Sequence, residues 1–495
     1  MRFNSFYLLE NMYYKRRNKI LFRDYYDFGY ITDNRNFDYE LKNETEKVIG
    51  DKVLSKTAKV MFSILTRKPC SFEEIIKNLK EVFQGVDETI LIRDVVDFYN
   101  ILERDGFVIS GETIEQCEDK EKVPFQNIIE SNNKKIDTSD NSTQFFFNNY
   151  FKGIPQITSL QVEIIKNCNE NCIHCYIPHE NKIELMSEDL FYSIINQCKL
   201  LNVLHITISG GEPLLHNKIL DFLRKCREND FSVSILSNLT LLNDSIIEEM
   251  KKNPLLCVQT SVYSIDENIH DSITNTHGSL KKTKANILRL IDNNIPVQIS
   301  CPVMKLNKDS FMDVVDWAKK NKININCDAS LIGRYNQSVD NLDSRLSLSE
   351  YKIFMEQKIK IDSNFVHDIL QDSKKRHEQT YMDSVCKICH LSLCVFYNGN
   401  VYPCAGWQSY ILGNLKDNTL KDIWEKSPKV KFLRDLKKSN FPRCLKCENK
   451  DYCDMCMVRN ANESSDGNPF ELNRYYCDIA KITKETLLKN NLFHK

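Results

Sequence analysis

Three closely spaced cysteines are the residues of this chain whose types and spacing point most directly to chemistry. They stand in the segment Cys168-Asn-Glu-Asn-Cys172-Ile-His-Cys175, with the spacing C-x3-C-x2-C. Three thiolates can hold three corners of a cubane iron–sulfur cluster, which normally takes four. One iron would therefore stay open to a ligand that is not protein.

The same cysteines could instead bind zinc, because C-x2-C pairs are common among zinc ligands. A zinc site would need a fourth ligand nearby, for which His179 is the candidate. The C-x3-C half fits zinc patterns poorly, so the sequence favours the iron–sulfur cluster.

This spacing resembles the signature of the radical S-adenosylmethionine (radical SAM) superfamily, although His174 stands where an aromatic residue usually precedes the third cysteine. In that family the amino and carboxylate groups of S-adenosylmethionine chelate the open iron. The resemblance therefore implies a [4Fe–4S] cluster and S-adenosylmethionine as cofactors. It also implies that a 5′-deoxyadenosyl radical abstracts a hydrogen atom from the substrate.

A second segment, Gly210-Gly211-Glu212-Pro213, resembles the GGEP segment of the same family. There the backbone and the glutamate bind the amino group of S-adenosylmethionine. Glycine permits close approach of a backbone, and a carboxylate suits an ammonium group. Gly210, Gly211 and Glu212 are therefore predicted cofactor-binding residues.

Two further strand ends match the family more loosely. Ser237 and Asn238 resemble the polar pair that contacts the ribose, although Leu239 replaces the glycine that often follows. Ser261 begins Ser261-Val262-Tyr263-Ser264, which matches the usual polar end of the fourth strand. The resemblance adds these three residues to the predicted cofactor site. No residue is singled out as a catalytic acid or base.

Nine more cysteines lie in the last quarter of the chain: Cys386, Cys389, Cys394, Cys404, Cys444, Cys447, Cys453, Cys456 and Cys477. Their spacing resembles a SPASM domain, a module with two auxiliary [4Fe–4S] clusters. One departure is that two residues, Asp454 and Met455, separate Cys453 from Cys456, where the commonest SPASM pattern has three. Zinc sites are the alternative, because C-x2-C pairs are also common in zinc ribbons.

The correspondence with SPASM domains implies a ligand set for each auxiliary cluster. The outer cluster would take Cys444, Cys447, Cys453 and Cys477. The inner cluster would take Cys404, Cys456 and two of the three residues Cys386, Cys389 and Cys394, and the sequence leaves that choice open. Asn398-Gly399 predicts a type I′ hairpin turn that brings the strands through Cys394 and Cys404 together.

Strands alternate with helices around the first cysteine group. The candidate strands are 160–166, 204–209, 231–237, 256–264, 296–303 and 323–331, and the helices between them include 187–200, 219–228 and 280–292. Six β/α units predict a parallel sheet with right-handed crossovers. The radical SAM family has an α/β fold of this kind, a partial (β/α)6 barrel. Catalytic groups of such barrels lie at the carboxyl ends of strands, where residues 168–175 are expected.

The N-terminal region has a different pattern. It predicts a β-hairpin over 18–42 with its turn at Asp33-Asn34-Arg35-Asn36, helices over 52–66 and 86–105, and a strand at 107–109. Ser71 and Glu74 form a capping-box pattern for a helix between the other two. This order resembles a PqqD-like winged-helix element, which binds a leader peptide as an added strand. The alternative is a generic winged helix, for which the neutral charge disfavours DNA binding.

Composition restricts the partners. The 495 residues include 67 basic and 68 acidic ones, for a net charge of −1, which provides no field for nucleic acid. No apolar run approaches the ~20 residues of a membrane span, and residues 1–10 are too short and polar for a signal peptide. A cytoplasmic protein without a membrane partner is therefore expected. Its thiols would stay reduced, so clustered cysteines indicate metal.

These patterns predict five parts: a peptide-recognition domain at 1–116, a polar linker at 117–152, a radical SAM core at 153–340, a bridging helical region at 341–385 and a SPASM domain at 386–495. The order resembles maturases of ribosomally synthesised peptides. It implies a thioether or other intramolecular crosslink, or an epimerisation, in a precursor peptide bound through its leader. Flavodoxin or ferredoxin would donate the electron.

Two other functions fit parts of the sequence. An anaerobic sulfatase-type maturase, which forms formylglycine, shares the core and the SPASM domain but has no leader-recognition domain. A non-catalytic, zinc-rich peptide-binding protein would be colourless and would not cleave S-adenosylmethionine. The Gly210–Pro213 segment disfavours this last function.

Overall fold

The computed structural model describes residues 12–33, 50–123, 146, 149–178, 184–490 and 492. The chain forms two compact units. Unit 1 consists of Met1–Ile154 with Cys226–Ser232 and Lys252–Leu256, and unit 2 of Pro155–Lys225, Val233–Lys251 and Cys257–Lys495. Among the described residues every helix is too short or too polar to cross a membrane.

The described residues of unit 1 form two small antiparallel sheets and four helices. The strands are β1 (Tyr13–Arg16), β2 (Leu21–Tyr25), β3 (Phe28–Thr32), β4 (Asp51–Leu54), β5 (Cys70–Ser71) and β6 (Val108–Gly111). The helices are α1 (Lys56–Ser63), α2 (Phe72–Val82), α3 (Glu88–Arg104) and α4 (Ile114–Lys122). One sheet has the order β5-β1-β6 and the other β2-β3-β4. Apolar faces of α1, α2 and α3 form the core with Phe62, Ile75 and Tyr99.

Two sequence expectations for unit 1 need correction. The hairpin exists, but its turn is at Tyr26-Asp27, and residues 34–36 of the predicted turn lie outside the described residues. The helix predicted over 52–66 begins only at Lys56, because Asp51–Leu54 pairs with β3. Ser55 caps the helix by accepting from the Ala58 amide.

Other expectations for unit 1 agree more closely with the structure. The Ser71 hydroxyl caps α2 by accepting from the Glu74 amide, and α3 and β6 lie near their predicted positions. The predicted linker begins inside α4, whereas residues 124–145, 147–148 and the zinc candidate His179 lie outside the described residues. The PqqD-like identity and the division into five parts stay predictions.

Unit 2 is built on a nine-stranded sheet. Its strands are β7 (Ser159–Glu163), β8 (His205–Ser209), β9 (Ser232–Leu236), β10 (Leu256–Ser261), β11 (Val297–Pro302), β12 (Asn324–Asp328), β13 (Ser392–Phe396), β14 (Asn400–Tyr402) and β15 (Gly413–Asn414). The order is β12-β11-β10-β9-β8-β7-β13-β14-β15. The six predicted strands are therefore neighbours in chain order, as in a partial parallel barrel. The predicted α/β fold class is confirmed.

In the described part of unit 2, helices lie between the strands from β7 to β13 and also follow β15. They are α5 (Glu188–Leu200), α6 (Ile219–Glu228), α7 (Asp244–Lys251), α8 (Glu267–Thr274), α9 (Ser279–Asp292), α10 (Phe311–Lys320), α11 (Leu348–Ile361), α12 (Ser363–Glu378), α13 (Leu420–Lys426), α14 (Pro428–Asp435), α15 (Pro442–Leu445), α16 (Met457–Glu463) and α17 (Arg474–Lys489). Short 3-10 turns occur at Pro213–Leu215, Asp340–Ser344, Lys438–Asn440 and Lys450–Tyr452.

The two faces of the sheet differ in polarity. Successive side chains of a strand point to opposite faces, and in β7 the buried Leu160 and Val162 alternate with Gln161. Thr207 in β8 and Gln298 in β11 are likewise half-buried between apolar neighbours. One face of the sheet is therefore apolar, and the other carries polar groups that can contact a polar ligand.

Strand β13 extends the sheet from the C-terminal part of the chain. It pairs in parallel with β7, so that Cys394 lies beside Gln161, and antiparallel with β14. The hairpin after β13 is confirmed, but its turn is not type I′. Only Gly399 has a positive φ, of 88°, whereas type I′ needs positive φ at both central residues. The Gly399 amide donates to the Phe396 carbonyl at 2.8 Å.

Candidate functional site

The first three predicted metal ligands lie in the loop 164–178, here called the cysteine loop, which follows β7 at its carboxyl end. Burial raises the pKa of Cys168 to about 12, although the Glu170 amide donates to this thiol at 3.4 Å. The Asn238 amide group donates to the same sulfur at 3.8 Å. Burial also raises the pKa values of Cys172 and Cys175, and other thiols of the loop raise that of Cys172 further. The structure thus brings the three thiols together.

The glycine pair after β8 fixes the course of this loop. The Gly211 amide donates to the Ile165 carbonyl and the Glu212 amide to the Asn167 carbonyl, both at 2.9 Å. A Cβ on Gly211 would lie 2.1 Å from the Asn167 oxygen. Gly210 has a φ of 144° and similarly little space. The glycines are therefore required because the backbone after β8 packs closely on the backbone of the cysteine loop. The sequence predicted close approach to a cofactor and did not indicate this contact within the protein.

Glu212 joins the ends of β8 and β9. Its side chain is fully buried, and its Oε1 accepts from the Ser237 hydroxyl at 2.7 Å and from the Leu214 amide at 2.9 Å. Its Oε2 accepts from the Asn238 amide at 2.8 Å. Burial raises the pKa of Glu212 to about 7, against the effect of these hydrogen bonds. Three predicted cofactor residues are thus hydrogen-bonded to one another.

Asn238 also reaches the cysteine loop. Its amide group donates to the Asn169 side chain at 3.0 Å, and its oxygen accepts from the Thr240 amide at 3.0 Å. Leu239 is fully buried with a φ of 63°. This left-handed conformation favours glycine, which explains physically why glycine would suit that position. The leucine keeps the turn that glycine would make.

Ser261, at the end of β10, reaches the cysteine loop through Tyr263. The Tyr263 side chain hydrogen-bonds with Ser261, and also with Cys172. The ring of Tyr263 packs edge-on against His174, with 5.0 Å between centroids. Thus His174, the departure from the usual aromatic residue, still makes a ring contact.

The four cysteines assigned to the outer auxiliary cluster are brought together around α15 and α17. Burial raises the pKa of Cys453 to about 12, and the charges of Cys477, Cys444 and Cys447 raise it further. Burial and the charges of Cys477 and Cys447 likewise raise the pKa of Cys444. Such mutual effects require short separations between the four thiols.

The other five cysteines form a second group around β13. Burial raises the pKa of Cys404 to about 11, and Cys456 and Cys386 raise it further. Burial raises the pKa of Cys389 to about 12, with contributions from Cys386 and Cys404. Burial likewise raises the pKa of Cys394, but the only thiol that adds to this rise is Cys404.

Glu163, the last residue of β7, was not indicated by the sequence. It is fully buried, and burial raises its pKa to about 8 although Gln408 donates to it at 2.8 Å. Its charge acts on Cys175 of the cysteine loop and on Cys394 and Cys404 of the second group. Glu163 therefore lies between two groups of thiols. Only its burial and neighbours reveal it, because one glutamate at a strand end carries no motif.

The donor sets fit iron–sulfur clusters. Each consists of thiols alone, with three in the cysteine loop and four or more in each other group, and cluster irons are held by thiolates. Within the described ranges, no three His, Cys, Asp or Glu side chains are gathered as they would be around one metal ion.

Comparison with known families gives two matches. Residues 162–318 match the radical SAM superfamily, and residues 372–448 match SPASM, described as an iron-sulfur cluster-binding domain. The chain therefore contains a radical SAM domain and a SPASM domain.

Individual proteins resemble the chain at lower similarity. The AdoMet-dependent heme synthase of Methanosarcina barkeri is 25% identical over 321 residues, 60% of this chain and 90% of that protein. The antilisterial bacteriocin subtilosin biosynthesis protein AlbA of Bacillus subtilis is 25% identical over 316 residues, 61% of this chain and 67% of that protein. Streptococcus suis SuiB, solved bound to precursor peptide SuiA, has a TM-score of 0.58 at 16% identity and covers 93% of this chain and 99% of its own. The last likeness concerns the fold.

Taken with the site, these matches establish the cofactors. The two matched domains imply [4Fe–4S] clusters and S-adenosylmethionine as cofactors. The clustered cysteines lie within these two matched regions, except Cys453, Cys456 and Cys477, which follow the second region.

Proposed function

We propose that this enzyme modifies a ribosomally synthesised precursor peptide, forming a thioether or another intramolecular crosslink. The observation that carries the proposal is the placement of a second thiol group around β13, the strand that pairs with β7, with Glu163 at the end of β7 acting on Cys175 of the cysteine loop and on Cys394 and Cys404 of this group. A crosslink requires removal of an electron as well as a hydrogen atom, and an adjacent cluster can accept that electron. The names of two similar proteins, one for subtilosin biosynthesis and one bound to a precursor peptide, support a peptide substrate.

The cysteine loop would hold the first cluster through Cys168, Cys172 and Cys175. S-adenosylmethionine bound to that cluster supplies hydrogen-atom abstraction from an unactivated carbon. Gly210, Gly211, Glu212, Ser237, Asn238 and Ser261 are the residues proposed to surround it. They lie at the carboxyl ends of β8, β9 and β10, where a barrel binds its ligands.

The remaining thiols would hold two auxiliary clusters. Cys444, Cys447, Cys453 and Cys477 form the outer set. For the inner set we assign Cys386, Cys389, Cys404 and Cys456, because the charges of Cys386 and Cys404 both act on Cys389, and those of Cys456 and Cys386 act on Cys404. Cys394 instead lies on β13, and among these thiols Cys404 is the one whose charge acts on it. A flavodoxin or ferredoxin is the proposed electron donor.

Unit 1 is proposed to bind the leader of the precursor. Its two sheets leave β2, β4, β5 and β6 as edge strands. An edge strand can pair with an extended peptide through backbone hydrogen bonds. This proposal concerns unit 1 alone.

The first experiment measures iron, sulfide and the absorption spectrum of anaerobically purified protein. We expect about twelve iron per wild-type chain, and about four fewer in Cys168/Cys172/Cys175→Ala. Cys70→Ala is the matched control, since Cys70 belongs to unit 1 and to none of the three cysteine groups, and it should keep all its iron. Zinc without iron would disprove the proposal.

The second experiment incubates reduced enzyme with S-adenosylmethionine and with short peptides encoded beside its gene. Cleavage should yield 5′-deoxyadenosine, and a crosslinked peptide should lose two hydrogen atoms in its mass spectrum. An unchanged mass with an inverted residue would show epimerisation and contradict the crosslink. A core peptide without cysteine would exclude a thioether.

A further inference from the structure

Arg434 of α14 lies against the second thiol group, and no role has been assigned to it. Its Nε donates to the Cys389 carbonyl at 2.6 Å, and its Nη1 donates to the Trp424 carbonyl at 2.9 Å. The guanidinium also lies over the Trp424 ring, 4.0 Å from its centroid. These contacts hold the planar group in one orientation beside Cys389, which is fully buried.

The remaining nitrogen of this guanidinium, Nη2, is buried and has no hydrogen-bond partner among the described residues. The donors of a guanidinium form a rigid fork, in which the N–H bonds of Nε and Nη2 run parallel along one edge. Because Nε points at the Cys389 backbone, Nη2 points toward the same part of the chain. A buried donor without an acceptor is costly, so an acceptor beside Cys389 is expected.

The positive charge of Arg434 has little to balance it within the protein. Burial lowers the pKa of Arg434, and the charges of Cys389 and Glu425 oppose that effect. Glu425 is exposed, where water and salt screen its charge. Burial raises the pKa of Cys389, and the charge of Arg434 opposes this rise in turn. The counter-charge that suits Arg434 is therefore a thiolate at Cys389.

A second arginine lies near the same thiol group, but acidic residues balance its charge. The charge of Cys456 acts on Arg459 of α16, and so do the charges of Asp328 and Asp454. These two carboxylates offset the positive charge that Arg459 brings to the group. Of the two arginines, Arg434 is therefore the one whose charge is left to offset the thiolates.

A cation beside an iron–sulfur cluster affects the reduction potential of that cluster. The reduced form carries one more negative charge than the oxidised form, so a nearby positive charge stabilises the reduced form and raises the potential. Net charge and hydrogen bonds to the sulfurs are among the properties that set such potentials. Arg434 brings both, a charge and an N–H without a partner.

We propose that Arg434 raises the reduction potential of the inner auxiliary cluster, through its charge and through donation from Nη2 to a sulfur on the Cys389 side. The inference rests on the proposed function, in which Cys389 is a ligand of that cluster. It adds a residue outside the cysteine groups that sets how readily the cluster is reduced. Arg434 thereby favours transfer to this cluster of the one electron that the substrate must lose when a crosslink forms.

The test is a redox titration of the anaerobically reconstituted full chain, followed by EPR. All proteins carry Cys168/Cys172/Cys175→Ala, so that the two auxiliary clusters alone contribute signals. Arg434→Gln removes the charge and should make one midpoint potential more negative by about 59 mV, a tenfold fall in the equilibrium constant of one-electron reduction. Arg434→Lys keeps the charge, so its shift should be smaller. Lys431→Gln, at an exposed lysine of the same helix, is the matched control and should leave both potentials unchanged.

A second measurement detects the hydrogen bond in protein that keeps its arginine. With ¹⁵N at arginine alone, pulsed EPR of the reduced auxiliary clusters should show a ¹⁵N coupling, which Arg434→Lys should lose. Arg459 stays labelled in both proteins, so the coupling that disappears belongs to Arg434. Cys389→Ser, which changes a proposed ligand, should shift or abolish the same midpoint as Arg434→Gln and so identify it as that of the inner cluster.

The remaining outcomes separate the two proposals. A chain that holds one auxiliary cluster or none disproves the proposed ligand sets and the inference with them. Two auxiliary clusters with the same potentials before and after Arg434→Gln disprove the inference alone. Equal shifts in Arg434→Gln and Arg434→Lys would assign the effect to packing rather than charge and overturn it. If Arg434→Gln assembles less iron, the labelled protein decides, because a chain with Arg434 intact and no ¹⁵N coupling refutes the hydrogen bond.

Discussion

At the scale of single residues, Gly211 shows how one missing side chain supports a metal site. In Gly211→Ala the new Cβ would lie 2.1 Å from the oxygen and 2.3 Å from the carbonyl carbon of Asn167. Backbone atoms cannot move aside as a flexible side chain does, so the cysteine loop must shift. We expect Gly211→Ala to lose about four iron per chain, measured together with sulfide after anaerobic purification.

The control for this variant is Gly153→Ala. Gly153 has a φ of 79°, but a Cβ there would meet nothing within 4 Å. The substitution therefore tests backbone strain, which costs about 1 kcal/mol, without a clash. Equal iron content in the two variants would contradict the steric argument.

Glu163 provides a second prediction at this scale, because burial raises its pKa from its ordinary 4.5 to about 8. Between these pH values the folded protein holds a proton that the unfolded chain releases, so the stability of wild type falls as pH rises. Glu163→Gln removes this proton and keeps an acceptor for Gln408. Relative to wild type, the variant should gain up to about 1.4 kcal/mol per pH unit between pH 6 and 7.5.

Apparent melting temperatures of both proteins across that range measure the gain. Glu188→Gln is the control, because Glu188 is exposed and its hydrogen bond to Lys218 lowers its pKa. It is ionised throughout the range, so its difference from wild type should not change with pH. Parallel pH profiles for Glu163→Gln and wild type would refute a raised pKa.

The sequence predicts some residues of the site better than others, for a physical reason. Cys168 and the Gly210–Pro213 segment belong to motifs, whose spacing along the chain is visible without a structure. Glu163 and Arg434 owe their importance to burial and to the partners that their polar atoms have or lack. Those properties depend on Gln408 and Cys389, which lie 245 and 45 residues away along the chain.

At the scale of elements, propensity predicts the kind of element better than its ends. The helix expected over 52–66 begins at Lys56, because Val53 and Leu54 pair with β3 instead. Their apolar side chains suit either a strand or the first turn of a helix. Similarly, Asn398-Gly399 predicts a hairpin, but the register Val395 against Val401 leaves a loop longer than the two residues of a type I′ turn.

The ion pair that links Arg345, in the region after β12, to the C-terminal helices gives a prediction at this scale. Arg345 donates twice to Glu463 of α16, at 2.9 and 2.6 Å, and to the Tyr476 hydroxyl of α17 at 3.3 Å. Both charged side chains are nearly buried, at 9% and 13% exposure. Arg345→Ala would leave Glu463 buried and unpaired, which should lower the free energy of unfolding by about 3–5 kcal/mol.

Thermal melting and hydrogen exchange of α16 and α17 would measure this loss. The double variant Arg345→Met/Glu463→Leu removes both charges and keeps apolar contacts, so it should recover most of the stability. If the double variant were as unstable as Arg345→Ala, the loss would come from packing rather than from the unpaired charge.

At the scale of the whole molecule, the fold class follows from the sequence because six β/α units have one simple arrangement. The extension of the sheet does not follow, since β13 begins 229 residues after the end of β7, at Ser392 against Glu163. Contacts between residues so far apart along the chain leave no pattern in the local sequence. For the same reason, the sequence did not show that Cys226–Ser232 belongs to unit 1.

That segment of unit 1 carries the last prediction. Arg16, Arg23 and Arg67 all pair with the Asp230 carboxylate. Burial alone would raise the pKa of Asp230, but these guanidinium groups lower it below its ordinary value, so it is ionised at neutral pH. Asp230→Asn leaves three partly buried cations together, which should cost about 3–5 kcal/mol and speed hydrogen exchange in β1 and β2. Asp27→Asn, at an exposed pair with Lys56, should leave exchange unchanged. Equal exchange in both variants would mean that the Asp230 cluster adds nothing to unit 1.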